Sequence, residues 1–432
     1  MSARLTADCA IAGGGPAGMM LGMLLARAGA SVLVLEKHAD FLRDFRGDTL
    51  HPSTLEVMHE LDLFEGLQRL PHQKVHQMSA GIGASETPVA DMSHLPVHSP
   101  YIMMMPQWDF LDFLKREGER HSGFRCLMST RATGLINEGG SVVGVTAEGP
   151  DGPLEIRARL VVGADGRRSD MRKAAALEVE ELGAPIDVLW FRLPRKPEDT
   201  EESAGRFDPG RLMVRIYRGD YWQCAYVIPK GAAEAVRARG IEAFRSDVGA
   251  LLPFEAERAE ALASFDDVSL LSVSVDRLRR WWRPGLLCIG DAAHAMSPVG
   301  GVGINLAIQD AVAAANILAG PLTEGSLSGD HLAAIERRRI FPTRLTQAAQ
   351  VLAHNRLLAP VLAQRGQSLK PPLPVRLLAR FPLLRRIPGR LVGLGIRPEH
   401  VTSPLIRAGS GGGSRPSRGT SGATACSPTP PE

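Results

Sequence analysis

DCAIAGGGPAGMMLGMLLARAGASVLVLE, residues 8–36, is the stretch from which the fold is read. The apolar run at residues 9–12 has the composition of a strand buried on both faces in a parallel sheet. Gly13-x-Gly15-x-x-Gly18 follows with dinucleotide-binding spacing, residues 19–28 read as a helix stopped by Gly29, and residues 31–35 form a second buried strand ending on Glu36. Each part has a physical role. Gly13 permits a tight turn, Gly15 lets backbone N–H groups approach a pyrophosphate, and Gly18 lets helix and strand pack closely. Pro16 and Ala17 complete the turn, whose helix N-terminus faces the phosphates with partial positive charge. Glu36, 18 residues beyond Gly18 and followed by Lys37, falls where a ribose hydroxyl pair needs an acceptor. Strand, turn, helix, strand and acid in this order predict a dinucleotide site. The motif alone does not separate FAD from NAD(P).

Length and composition set the remaining bounds. A chain of 432 residues exceeds one small core and predicts two interleaved domains plus a tail. Net charge +3 gives no sign of a nucleic-acid surface. The cysteines at 9, 126, 224, 288 and 426 are scattered without a CxxC or Cys/His cluster, which predicts free thiols, no metal site and a reducing compartment. The apolar residues 11–26 belong to the glycine turn better than to a signal peptide, and no window reads as an unbroken membrane span. The expectation is a cytoplasmic enzyme.

Along the chain, the predicted class is α/β: a Rossmann-type dinucleotide-binding domain, for FAD or NAD(P), with an inserted antiparallel-sheet substrate domain and a C-terminal helical segment. The nucleotide domain is expected in three parts, residues 1–75, 101–180 and 281–350. Residues 76–100 and 181–280 would form the substrate domain, 351–405 C-terminal helices, and 406–432 a disordered tail of Gly, Ser, Pro, Thr and Arg. Ser53 or Thr54 would cap a helix at 55–61, and residues 107–120 form an amphipathic helix. Arg218-Gly219-Asp220 makes strands 211–218 and 221–229 a hairpin. Residues 373–396, rich in Leu and Arg, have the composition of a basic amphipathic surface helix, but their prolines interrupt it. They are expected to pack on the domain rather than insert into a membrane.

Three ordered motifs now stand together: GGGPAG at 13–18, DGRRSDMR at 165–172 and GDAAHAMSPVGGVGINLAIQDA at 290–311. Together they resemble the class A flavoprotein monooxygenases, the para-hydroxybenzoate hydroxylase-like aromatic hydroxylases. The resemblance implies that Gly13, Gly15, Gly18 and Glu36 hold the FAD pyrophosphate and ribose. It places Arg46 at a flavin-contacting arginine, Gln107 near the ribityl chain, and Asp165-Gly166 in a segment tied to both FAD and NAD(P)H. Gly290 and Asp291 match the ribityl-binding pair, and Pro298 a proline at the reactive flavin edge. The residues themselves agree: Gly301-Val302-Gly303 opens a long helix whose N-terminal end favours negative charge, with Asn305 and Asp310 on the same helix. Asp310 reads as structural and His294 as a buried, hydrogen-bonded histidine. Arg167, Arg168 and Arg172 could meet NAD(P)H phosphates or form a basic turn paired with acids.

The implied chemistry is reduction of tightly bound FAD by NAD(P)H, addition of O2 at flavin C4a, and transfer of OH from the hydroperoxide to an aromatic carbon of a phenolic, quinol or polyketide-like molecule. The site must then exclude water. Side chains alternate along strand 221–229, and Gln223 is expected to face the flavin with Trp190, Arg215 and Tyr217 as pocket walls. Pro298, Gln223 and Arg46 are the catalytic candidates. A monomer or homodimer is expected, with no nucleic-acid partner. Alternatives on the same fold are a reductase or saturase, a halogenase (Cys224 and Tyr226 stand where its two tryptophans belong), or a binding protein without turnover.

Overall fold

A computed structural model describes residues 3–42, 49–82, 85–201, 203–364 and 372–406. Arg46 and the tail beyond residue 406 lie outside the described residues. Strand β1 (Ala3–Ala12) enters the glycine turn, α1 (Pro16–Arg27) follows, and β2 (Val32–Leu35) returns beside β1. After α2 (Pro52–Glu60), β3 (Gln77–Ile82) and β4 (Ser85–Asp91) leave for a second sheet. α3 (Gln107–Gly118) leads back to β5 (Phe124–Leu127), then to a meander of β6 (Arg131–Glu138), β7 (Ser141–Gly149) and β8 (Gly152–Gly163) and the short α4 (Asp170–Ala174).

The second excursion comprises β9 (Ile186–Pro194), β10 (Ala204–Asp208), β11 (Arg211–Tyr217), β12 (Tyr221–Pro229), α5 (Ala233–Ala238), α6 (Ile241–Gly249) and β13 (Ser269–Leu271). The chain rejoins the first sheet at β14 (Leu286–Cys288). It ends in α7 (Gly303–Glu324), α8 (Gly329–Ala353), α9 (Leu373–Arg380) and α10 (Arg386–Gly393).

The first sheet runs β14-β8-β1-β2-β5 in parallel through its centre, with Trp282–Arg283 antiparallel on the β14 edge and the meander antiparallel on β8, so its central strands are covered on both faces. Alternation divides β1 and β2 between two cores. Cys9, Ile11, Val32 and Val34 meet α1, α3 and α7, whereas Ala10, Ala12, Leu33 and Leu35 meet the β6-β7 meander. That double burial is why residues 9–12 and 32–35 carry no polar residue. The second sheet runs β13-β9-β12-β11-β10-β3-β4 and is antiparallel except where β10 pairs with β3.

Several local expectations are corrected. The helix after residue 50 begins at Pro52, which suits the first helical position, and His51 occupies the cap. Thr54 therefore lies inside the first turn and is not a cap. The segment Val299–Glu324, which includes α7, is long and apolar enough to cross a membrane. It is instead a core helix packed along α1. The 373–396 segment packs on β4 through its inner side only, as taken up below.

Candidate functional site

The ends of three strands are laced at the glycine turn: Gly13 N–H donates to Leu35 O at 2.8 Å and Ala164 N–H to Ala12 O at 2.8 Å. Gly13 has φ +109°, and a Cβ there would stand 2.3 Å from Ala164 O. A Cβ at Gly18 would stand 2.0 Å from Gly13 O, so α1 can approach β1 only without a side chain. A Cβ on Gly15, by contrast, would meet nothing within 4 Å. The turn is thus packed behind and open in front, at the N-terminus of a 12-residue helix with Pro16 at its start and Ala17 buried. This is a cradle for a phosphate group. Glu36 is fixed beside it: its Oε2 accepts from Gly14 N–H at 3.0 Å, and its Oε1 meets His38 N–H at 3.1 Å and His38 Nδ1 at 2.6 Å. Lys37 is exposed next to it.

In the second motif Asp165 is a structural cap: its Oδ2 accepts from Asp170 N–H at 2.7 Å and Met171 N–H at 3.1 Å. Among the described residues its buried Oδ1 has no hydrogen-bond partner, nor has Arg167 Nη1. Gly166 has φ +83° with open space around it. Arg172 is withdrawn from any phosphate, because it is buried against Asp276 at 3.1 Å and donates to Arg167 O at 2.6 Å. Arg167 reaches Asp291 Oδ2 at 3.4 Å. Of the three arginines only Arg168 is exposed. Gln107 stands half-buried at the first position of α3.

The third motif closes the same end of the sheet. Gly290 has φ +58°, and a Cβ there would press on Ala17 at 3.1 Å and Ala307 at 3.3 Å, so this turn is gripped between α1 and α7. Asp291 follows it, partly exposed beside Arg167. Behind the turn, buried Asp310 accepts from Gly290 N–H at 3.1 Å, meets His294 Nε2 at 2.6 Å and accepts from Arg339 Nε at 2.9 Å. Burial alone would raise the Asp310 pKa, but His294 and Arg339 hold it below the ordinary carboxylate range. Arg339 Nη1 goes on to Glu399 at 3.2 Å.

Pro298 begins a turn in which Gly300 has φ +81° and Gly301 φ +65°. A Cβ on Gly301 would stand 2.5 Å from Thr49 Oγ1. Val302 and Gly303 then open α7. Asn305 is a brace rather than a ligand: its Oδ1 accepts from His51 N–H at 2.8 Å and Thr54 Oγ1 at 2.6 Å. Its Nδ2 donates to Thr49 O at 3.2 Å and Gly301 O at 3.4 Å. All of its hydrogen-bonding capacity is therefore used within the protein.

Two residues absent from the sequence reading hold the Pro298 turn from the other side. Gln350 Oε1 accepts from Ser297 N–H at 3.1 Å, and its Nε2 donates to Ser297 O at 3.0 Å and Val299 O at 2.9 Å. His354 Nε2 lies 2.8 Å from Ser297 Oγ. With Arg339, Thr343 and Gln347 they form a buried polar stripe at three- and four-residue spacing along α8 and the turn after it. That spacing was visible, but polar residues at helical intervals ordinarily mark a solvent face.

The second sheet presents its inner face to this turn. Trp190, Ala225, Val227, Val188 and Leu212 share a core with Val299 and Leu358. Gln223 lies on this face, buried, and accepts from Arg218 Nε at 3.0 Å. Arg215 and Tyr217 do not. Antiparallel pairing sets Arg215 opposite Cys224 and Tyr217 opposite Trp222, so both point to the outer face under α5 and α6. Arg215 is buried between Trp222 and Phe254, its Cζ 5.4 and 5.5 Å from their rings, and burial lowers its pKa. Tyr217 Oη donates to Glu201 at 3.1 Å. Trp190, Val214 and Ile216 lie on the inner face instead, the last two alternating with Arg215 and Tyr217.

Comparison with known proteins agrees with this geometry. The family described as FAD binding domain matches residues 6–349. Over 406 residues the chain is 34% identical to 6-methylpretetramide 4-monooxygenase of Streptomyces rimosus, covering 93% of this chain and 96% of that one. It is 30% identical over 322 residues to the 12-dehydrotetracycline 5-monooxygenase/anhydrotetracycline 6-monooxygenase of the same species, covering 71% of this chain and 61% of that one. Among solved structures, PqsL, a probable FAD-dependent monooxygenase from Pseudomonas aeruginosa, superposes with TM-score 0.69 at 24% identity, covering 83% of this chain and 98% of that one. By these matches the chain belongs to the class A FAD-dependent aromatic monooxygenases.

Proposed function

We propose that this monooxygenase hydroxylates a polycyclic, polyketide-like aromatic compound. The observation that carries the reading is the near full-length similarity to a 6-methylpretetramide monooxygenase, joined to an inner sheet face that is largely apolar around Gln223, with Arg192 opposite it. The residues present fit FAD. The open front of Gly15 and the α1 N-terminus would hold its pyrophosphate, Glu36 its ribose and Asp291 its ribityl hydroxyls. FAD supplies the redox chemistry here, accepting electrons from NAD(P)H and passing them to O2.

The chain's own residues bind, orient and exclude water. The N-terminal end of α7 stabilises negative charge developing near Gly301–Gly303. Pro298, rigid and lacking an N–H, shapes the turn that meets the inner sheet face, and Gln350 and His354 keep it in place. Trp190, Val214 and Ile216 keep that face dry, and Gln223 supplies one polar contact to orient a phenol.

The reading is tested by following NADPH and NADH oxidation with labelled dioxygen and a panel of tetracyclic and simpler phenols. One labelled oxygen in a polycyclic product is expected. A product saturated without oxygen uptake would make the protein a reductase. Gln223→Ala should keep its FAD and divert turnover to hydrogen peroxide, raising uncoupled NAD(P)H oxidation about tenfold if one substrate hydrogen bond is lost. Unchanged coupling and unchanged substrate affinity would remove Gln223 from the site.

A further inference from the structure

We propose that α8, α9 and α10 form a surface that docks on anionic phospholipid bilayers. Helix α8 has an inverted polarity over its second half: Arg339, Gln347 and Gln350 are buried, while Phe341, Leu345 and Leu352 are exposed, Phe341 by 58%. The same inversion continues after it. α10 seats on β4 through glycines, since a Cβ on Gly389 would stand 1.9 Å from Asp91 O and one on Gly393 2.7 Å from Leu95. Its larger side chains consequently face outward: Leu383 in the turn before it is 70% exposed, Ile387 61% and Leu391 52%. Leu373 and Leu377 of α9 are exposed one turn apart. Pro342 and Thr346 of α8 line one cavity with Leu391 and Val392 of α10, so the two helices adjoin.

Charge selects the occupant. Between Glu336 and Glu399 the sequence has no Asp or Glu, and Arg376, Arg380, Arg385, Arg386 and Arg390 are set among the exposed leucines. A second copy of this chain docking here would set arginine against arginine, and Asp91, beside Arg386, offsets only part of that charge. A bilayer carrying anionic headgroups satisfies both halves of the pattern, taking leucine and isoleucine side chains at the acyl boundary and guanidinium groups at the phosphates. Docking of this kind is peripheral and does not depend on the identity of the substrate.

The test is flotation of the full, FAD-loaded protein with large unilamellar vesicles, either neutral phosphatidylcholine or phosphatidylcholine with about 30% phosphatidylglycerol, at about 0.1 M salt. The protein should float with the anionic vesicles only, and about 1 M salt should release most of it. Leu383→Glu/Ile387→Glu and Arg385→Glu/Arg386→Glu should each weaken binding about thirtyfold or more with flavin content unchanged, whereas deleting residues 407–432 should leave binding intact. Absence of binding to anionic vesicles, equal binding to neutral ones, variants that float like the parent, or binding lost with the tail would each overturn the proposal. So would a dimer by light scattering that these variants dissociate, or capture of an acidic protein while the vesicles stay bare.

Discussion

Arg339→Met should destabilise the folded protein by about 3–5 kcal/mol, the penalty for breaking a buried ion pair and leaving its partners uncompensated. Arg339 is buried with Asp310 on one side and Glu399 on the other, and Asp310 in turn holds the Gly290 turn and His294. Removing the guanidinium therefore leaves two buried carboxylates short of charge and loosens a turn of the cofactor site. Denaturant unfolding at neutral pH measures the loss. Arg338→Met serves as the control: it shares Glu399 but its side chain is 38% exposed, so about 1 kcal/mol or less is expected. The pH dependence has a definite sign. The Asp310 pKa is held below its ordinary value, so its contribution is complete above about pH 5 and disappears as pH falls through about 4 and below. The gap between wild type and Arg339→Met should narrow over the same range. A deficit under about 1 kcal/mol at neutral pH would show that the network relaxes without Arg339.

Asp291→Ala should weaken FAD binding about tenfold to a hundredfold, the value of one or two hydrogen bonds to an ionised carboxylate. Asp291 is suited to this because it is only partly buried, and its ion-pair contact to Arg167, at 3.4 Å, is long. The flavin-to-protein absorbance ratio after gel filtration reports retention, and fluorescence titration of the stripped protein reports affinity. Purification with full FAD content would remove Asp291 from the site. Asp165→Ala should act differently, since Asp165 Oδ2 caps α4 through Asp170 and Met171. Its first effect is then loss of about 1 kcal/mol of stability.

Much of the nucleotide half was legible in the chain because each feature there answers a local demand. Double burial in a parallel sheet produces the uninterrupted apolar runs at 9–12 and 32–35, and two glycines mark where an added Cβ would stand 2.3 and 2.0 Å from a backbone oxygen. The errors arose where the deciding contact was distant in sequence. Asn305 looked available on a helix beside the site, yet its partners Thr49, His51 and Thr54 come from about 250 residues earlier. Arg215 and Tyr217 were recoverable: the hairpin at Gly219-Asp220 puts 217 opposite 222 and 215 opposite 224, and residues opposite one another share a face. With Gln223 placed inward, both had to point outward. The role of α8 could not be read from periodicity, because its buried stripe is polar and its exposed one apolar.

The order in which the first sheet is assembled bears on biosynthesis. Its strand β14 starts at Leu286, although its neighbour β8 ends at Gly163. While the intervening substrate sheet is still leaving the ribosome, β8 presents an unpaired apolar margin and α1 lacks its companion α7. Flavin capture should thereby wait until roughly three-quarters of the polypeptide has been translated, past residue 310 of 432. Chaperone occupancy on stalled nascent chains should peak just before that point and drop sharply once α7 emerges.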